Sequence, residues 1–207
     1  MPIEKKIIIF DLDGVLINSK MNMYYSWKAV QKKFSLHKIL FDSYFEKIGQ
    51  PFYKILERLN IKNNKKKIKE CYDLNSILNL KSIKYYPYTI QTLKKLKKRG
   101  FILCIVTSKD KKRTNLIVNG YHYLFSIIQC PQKNLRGKPY PDQINKVIKL
   151  LDVKKNQCLY VGDTYIDYLA SKKSKIDFLF AEWGYSKKNK IYKYSVKNIA
   201  ELQKILN

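Results

Sequence analysis

The stretch Ile7-Ile8-Ile9-Phe10-Asp11-Leu12-Asp13-Gly14-Val15 decides the fold of this 207-residue chain. Four consecutive apolar residues with no polar alternation predict a strand buried on both faces, as in a parallel sheet. The run ends in two carboxylates with one residue between them, followed by a glycine. In open α/β sheets ligands sit beyond the carboxyl ends of the strands, which is where Asp11 and Asp13 fall. A lone D-x-D-G more often marks a strand that stops in an Asx turn. The reading therefore depends on what the rest of the chain brings to the same edge.

Downstream, from about residue 18 to 85, no strand signal occurs and apolar residues recur at helical spacing. Met23, Trp27, Val30 and Phe34 form one stripe, Phe41, Phe45 and Ile48 a second, and Phe52, Ile55, Leu56 and Leu59 a third. Ile68, Cys71, Leu74 and Leu78 would make a weaker fourth. All four read as core. Gly49-Gln50-Pro51 separates the second from the third, with Pro51 suited to a helix start. From Tyr86-Pro87 onward, helix and strand alternate. Helices are predicted over 89–99, 111–119, up to Leu151 and through the 160s, and strands over 101–106, 125–129, 157–161 and 178–181. A closing amphipathic helix would use Val196, Ile199, Leu202 and Ile205. This alternation predicts an α/β fold, a doubly wound parallel sheet, with a helical module inserted after the first strand.

Composition bounds the function. The chain is 45% hydrophobic, and no apolar run approaches the roughly 18 residues that cross a bilayer. No signal peptide is recognisable, so the expectation is a cytoplasmic protein with no membrane partner. Cys71, Cys104, Cys130 and Cys158 are too widely spaced for a metal knuckle and read as reduced, buried thiols. His37 and His122 have no partner at ligand spacing. The net charge of +26, from 42 Lys+Arg against 16 Asp+Glu, raises nucleic acid as a partner. The excess is nearly all lysine, spread over helix faces, a loop and the tail beside abundant Asn, Ile and Tyr. Arginine, the better groove reader, is scarce. Composition bias accounts for the charge better than nucleic-acid binding does. Oligomeric state has no sequence signal.

Polar groups recur where the predicted strands end: Asp11 and Asp13, Thr107 and Ser108, Asp163 and Asp167, with Lys138 in the loop before a helix. In a parallel sheet these converge on one edge. Asp163 and Asp167 are four apart, one turn on a shared helix face, where like charges repel. With 16 acids in the whole chain, four in one crevice require a compensating cation. Hard carboxylate oxygens suit Mg²⁺. A metal, a lysine and a hydroxyl make a phosphate clamp, since phosphoryl transfer is mostly positioning and charge neutralisation. No Ser, Cys or His with a suitable base stands out as nucleophile. An ionised aspartate can attack phosphorus itself, and a second carboxylate can protonate the leaving alkoxide and later activate water.

The set D-L-D-G-V, I-V-T-S-K, G-K-P-Y-P-D and V-G-D-T-Y-I-D resembles, in order and spacing, the four motifs of the haloacid dehalogenase superfamily. Glu182-Trp183-Gly184-Tyr185 extends the similarity to its phosphoglycolate-phosphatase-like branch. The resemblance implies Asp11 as nucleophile and metal ligand, and Asp13 as general acid/base that lends its backbone carbonyl to the metal. It implies Thr107 and Ser108 as phosphoryl ligands and Lys138 as the bridge between nucleophile and phosphate. Asp163 would bind Mg²⁺, with Asp167 in support. Residues 1–17 and 86–207 would form the Rossmann-like core and residues 18–85 a helical cap that excludes water, with Gly49-Gln50-Pro51 a substrate-selecting loop. Asn18, Tyr88 and the run Lys172-Lys173-Ser174 depart from the branch pattern, which weakens the phosphoglycolate assignment and leaves the catalytic set intact. The expected activity is Mg²⁺-dependent hydrolysis of a small-molecule phosphate monoester through an aspartyl-phosphate. The alternatives are a phosphomutase of the same superfamily and a basic nucleic-acid-binding module on this fold.

Overall fold

The computed structural model describes residues 5–206; residues 1–4 and 207, within the expected core segments, lie outside them. The apolar run forms β1 (Ile7–Phe10), every residue of it buried. Its side chains alternate between two cores: Ile8 and Phe10 enter one apolar cluster, Ile7 and Ile9 another, on the opposite face. Burial on both faces is why no polar residue interrupts the run.

β1 is a central strand of a six-stranded parallel sheet. Its partners are β4 (Ile102–Val106), with Ile8 opposite Leu103, and β6 (Cys158–Gly162), with Ile8 opposite Leu159. Beyond β4 lies β5 (Ile127–Gln129); beyond β6 lie β7 (Asp177–Ala181) and β8 (Ser195–Val196), in the order β5-β4-β1-β6-β7-β8. The chain proceeds outward through β4 and β5, then returns to β6 on the other side of β1. That reversal opens the crevice at the carboxyl ends of β1, β4 and β6. Helices α5 (Thr89–Lys98), α6 (Lys111–Ile117), α7 (Asp142–Leu151) and α8 (Tyr165–Ser174) make the crossovers.

After β1 the chain enters β2 (Ile17–Asn18), which pairs antiparallel with β3 (Lys84–Tyr85), a two-residue ladder that the helical periodicity of this region did not reveal. Between them lie α1 (Lys20–Lys33), α2 (Phe41–Phe45), α3 (Phe52–Arg58) and α4 (Lys65–Leu78). These helices have a core of their own, around Trp27, Tyr44, Leu56 and Ile68. Trp27 stacks on Tyr44 at 4.5 Å and donates its indole N–H to the Ile39 carbonyl at 3.0 Å.

Two expectations fail in detail. Leu74 and Leu78 do not extend the stripe of α4 into the core: they are 58% and 70% exposed, while Tyr72 and Ser76 turn inward. The buried bonds from Ser76 Oγ to Asn22 Oδ1 (2.6 Å) and from Asn22 Nδ2 to the Ser76 carbonyl (2.9 Å) accompany that rotation, which the purely apolar reading does not contain. The closing segment is not one helix either. Val196 belongs to β8, a 3₁₀ turn follows at Ile199–Glu201, and only α9 (Leu202–Ile205) is helical. Inward-facing residues at three-residue spacing also suit that broken path. The four thiols are free and buried, and burial pushes Cys104 up to about 12, an unreactive value. Leu56→Ala should cost about 2–5 kcal/mol in urea unfolding, and Leu74→Ala no more than about 0.5 kcal/mol.

Candidate active site

The strand ends deliver their polar residues to one crevice. The Asp11 backbone N–H donates to the Val161 carbonyl at 2.9 Å, which continues the β1–β6 ladder and fixes where its side chain departs. Asp11 Oδ1 accepts the Leu12 N–H at 2.7 Å, and Oδ2 lies 2.9 Å from Lys138 Nζ. Lys138 is 1% exposed, and its ammonium also reaches Asp167 Oδ1 at 2.6 Å and Tyr160 Oη at 3.3 Å. Its three N–H donors thus meet three oxygens. The Tyr160 hydroxyl lies 3.1 Å from the Val106 carbonyl and donates to it, leaving lone pairs toward the lysine.

Asp163 and Asp167 meet in a different way from the shared helix face inferred from their spacing. Asp163 precedes α8, and Thr164 is the N-cap. Asp167 Oδ2 accepts from the Thr164 N–H (3.1 Å) and from its hydroxyl (2.6 Å), while Thr164 Oγ1 accepts the Asp167 N–H (3.2 Å). This reciprocal capping box was legible as T-x-x-D. It leaves Asp167 Oδ1 for Lys138. Asp163 Oδ2 accepts the Tyr185 N–H at 2.7 Å. The backbone packs hard on Asp163: Gly14 has φ +84°, and a Cβ there or at Gly184 would collide with the carboxylate.

One oxygen of each of Asp11, Asp163 and Asp167 lies within 4.8 Å of the others. Three buried carboxylates share a single buried lysine. Burial raises Asp11 to about 7, an effect opposed by Lys138 and reinforced by Asp167. Burial, then the charges of Asp167 and Asp11, raise Asp163 well above the carboxylate range. Burial disfavours the charge on Lys138, but Asp11 and Asp167 outweigh it and hold the ammonium protonated. Asp163 Oδ1 is buried with no hydrogen-bond partner among the described residues. An orphaned carboxylate oxygen in an electron-rich, all-oxygen pocket fits a hard divalent cation such as Mg²⁺.

Asp13 stands apart from this cluster. Its Oδ1 accepts from Ser19 Oγ and lies 3.3 Å from Lys109 Nζ. Thr107 Oγ1 accepts the Lys109 N–H at 3.1 Å, which leaves its own proton to donate. Ser108 lines the same cavity, but its hydroxyl donates to the Gly49 carbonyl at 2.9 Å, across to the helical segment. The cavity above Asp11 and Asp13 measures about 70 Å³. Met23, Tyr44, Phe52 and Tyr72 form its apolar wall, and Lys109 and Arg113 bring two cations to it. Sequence reading gave no role to Arg113 or Ser19, and quoted Lys109 and Tyr185 only as members of the I-V-T-S-K and Glu182–Tyr185 stretches. Lys109 directly follows Thr107-Ser108, but a lysine in a chain this lysine-rich carries no signal. Burial distinguishes it, and burial lowers it below the ordinary lysine value, partly offset by Asp13.

A family model described as haloacid dehalogenase-like hydrolase matches residues 8–181, most of the chain and all of the crevice residues except the Gly184–Tyr185 end. The chain belongs to the haloacid dehalogenase-like hydrolases. Among curated relatives of this hydrolase, a phosphoglycolate phosphatase of Aquifex aeolicus is 28% identical over 209 residues, covering 98% of this chain and 97% of its own. A pyrophosphatase PpaX of Halalkalibacterium halodurans is 27% identical over 175 residues, covering 84% and 81%. A solved haloacid dehalogenase-like family hydrolase from Streptococcus pneumoniae superposes with a TM-score of 0.87 at 19% identity over 99% of each chain, which supports the fold.

If the acid cluster is a cation site, Mg²⁺ at a hundredfold excess over Kd should stabilise the hydrolase by about 2.7 kcal/mol, read as a rise in Tm. Asp163→Asn should remove most of that rise. Protons compete for the same oxygens, so the apparent affinity should weaken as pH falls through about 7. In the metal-free protein, Asp11 stabilises the fold fully below its ordinary value of 3.8. That contribution is lost as pH rises through about 7.

Proposed function

We propose that this hydrolase is a Mg²⁺-dependent phosphatase that cleaves a compact phosphate monoester through an aspartyl-phosphate on Asp11. The observation that carries this reading is the Asp11 carboxylate, held by Lys138 and the Leu12 N–H at the end of the central strand, on the floor of a small cavity that Asp13 shares. Family membership and the phosphatase names of the two curated relatives support it.

In this mechanism an Asp11 oxygen attacks phosphorus, a new O–P bond forms, and the ester O–P bond breaks. Asp13 gives its proton to the departing alkoxide. Water then attacks the phosphorus of the acyl phosphate, Asp13 takes the water's proton, and the Asp11 carboxylate is released. Thr107 donates its hydroxyl proton to the phosphoryl oxygens. Ser108, its hydroxyl bonded to the Gly49 carbonyl, joins it through its backbone N–H, and Lys138 holds nucleophile and phosphoryl group together. Asp11, Asp163, the Asp13 backbone carbonyl and, in support, Asp167 would hold Mg²⁺, which supplies neutralisation of the phosphoryl charge when bound.

Residues 18–85 act in this reading as a cap over a core of residues 1–17 and 86–207, and the β2–β3 ladder lies at the junction. Ser108 reaches this cap through the Gly49 carbonyl, which puts the Gly49-Gln50-Pro51 loop at the mouth of the site. A cavity of about 70 Å³ is far below the roughly 300–1,000 Å³ of ordinary small-molecule pockets, so the leaving group is short. Lys109 and Arg113 on its wall, paired with Asp13 and with Asp73 and Asp110, still offer N–H donors that suit a leaving group with anionic oxygens. The names phosphoglycolate phosphatase and pyrophosphatase both denote substrates with short, anionic leaving groups.

The test is phosphate release from a panel of short acidic, neutral and nucleoside monoesters, with Mg²⁺ and with EDTA. Release should be metal-dependent, highest for the short acidic esters, and reduced at least about a thousandfold by Asp11→Asn, which removes the nucleophile. No release from any ester, or retained turnover in Asp11→Asn, would overturn the reading.

A further inference from the structure

The loop that follows β7, Glu182-Trp183-Gly184-Tyr185, clasps the catalytic turn from outside the four acid- and lysine-bearing motifs. The Trp183 indole N–H donates to the Val15 carbonyl at 2.9 Å, Gly184 packs on Asp163, and the Tyr185 N–H holds Asp163 Oδ2 at 2.7 Å. The rest of Tyr185 reaches two further places. Its hydroxyl accepts the Ser19 N–H at 2.7 Å and lies 3.1 Å from Ser19 Oγ. Its ring packs edge-on against Phe45 of α2, with centroids 5.1 Å apart.

Ser19 is the residue through which the chain passes from β2 into α1, and it is fully buried. Its hydroxyl donates to Asp13 Oδ1. Since the Ser19 proton is spent on Asp13, the Tyr185 hydroxyl is the donor in the 3.1 Å contact. The protons then run in one direction, from Tyr185 to Ser19 to Asp13, and each bond polarises the next. A single tyrosine thus contacts a helix of the segment above the cavity through its ring, the junction of that segment through its hydroxyl, and an acid of the carboxylate cluster through its backbone.

We propose that Tyr185 is a positioning residue that couples the seating of α2 against the sheet domain to the orientation of Asp13. When Phe45 rests on the Tyr185 ring, the phenol is held where it fixes Ser19, and Ser19 aims the Asp13 carboxyl into the cavity. When α2 lifts away, the ring loses its support, and Asp13 loses the donor chain that aims it. Proton transfer is thereby confined to the closed state, where water is excluded. This inference rests on the phosphatase reading, in which Asp13 is the acid/base.

Tyr185→Phe keeps the ring on Phe45 and the backbone bond to Asp163 and removes only the hydroxyl. With the best ester of the panel, kcat should fall about tenfold, the upper size of one lost hydrogen bond between neutral groups, with KM changed less than about twofold. Ser19→Ala should fall similarly, and Ser19→Thr, which retains a hydroxyl, should recover most of that loss. Because the two groups act in one chain, the double variant Tyr185→Phe/Ser19→Ala should be no slower than the worse single variant. Losses that multiply, or a Tyr185→Phe kcat within about twofold of wild type, would overturn the coupling. Hydrogen exchange at the Ser19 amide provides an arm independent of turnover. Tyr185→Phe should accelerate it at least about tenfold, and unchanged protection would overturn the proposal even if no ester is hydrolysed. Failure of the wild-type enzyme on the whole panel would instead indict the phosphatase reading.

Discussion

A single buried ammonium among carboxylates is the constraint on which the crevice depends. Lys138 is buried, and its three donors are taken by Asp11, Asp167 and Tyr160. Removing any one partner would leave a buried charge or donor unsatisfied, an expensive state in a low-dielectric site. The lysine therefore ties together the end of β1, the interior of β6 and the first turn of α8. Asp11, Asp163 and Asp167 outnumber it, and burial with mutual repulsion raises Asp11 and Asp163, which is the state a hard cation would relieve in the reading proposed above.

The backbone supplies the rest of the precision. Parallel strands of similar length end together, so the crevice receives Asp11, Thr107 and Asp163 from β1, β4 and β6 without long loops. Gly14 and Gly184 allow two chain segments to press against Asp163, and the Thr164–Asp167 capping box fixes where α8 begins. Above this floor the helical segment contributes an apolar wall. The two parts touch through few polar bonds, among them Ser108 to the Gly49 carbonyl and the 3.0 Å ion pair of Arg113 with Asp73. Sparse polar contact of this kind is what the cap role proposed above requires.

The sequence revealed the parts that obey local rules. The buried run 7–10, the strand–helix alternation after residue 86 and the polar residues at strand ends are each visible without a structure, because each depends on near neighbours in the chain. The failures share a cause. Leu74 and Leu78 look like core because their spacing is helical, but the buried Asn22–Ser76 pair, 54 residues apart, accompanies a different rotation of α4. Lys109 and Arg113 are invisible among 42 basic residues until burial singles them out. Ser19 and Tyr185, 166 residues apart, acquire meaning only through their bond. Long-range polar contacts leave no periodicity to read.

An aspartyl-phosphate on Asp11 can be trapped chemically. The enzyme would be mixed with its best ester and Mg²⁺, quenched in acid during steady-state turnover and reduced with borohydride. Reduction converts an aspartyl-phosphate to homoserine, which peptide mass spectrometry locates. Homoserine is expected at position 11 and at none of positions 13, 163 or 167. Homoserine at another aspartate, or none anywhere in an enzyme shown by rapid quench to accumulate a covalent phosphoryl adduct, would contradict a nucleophilic Asp11.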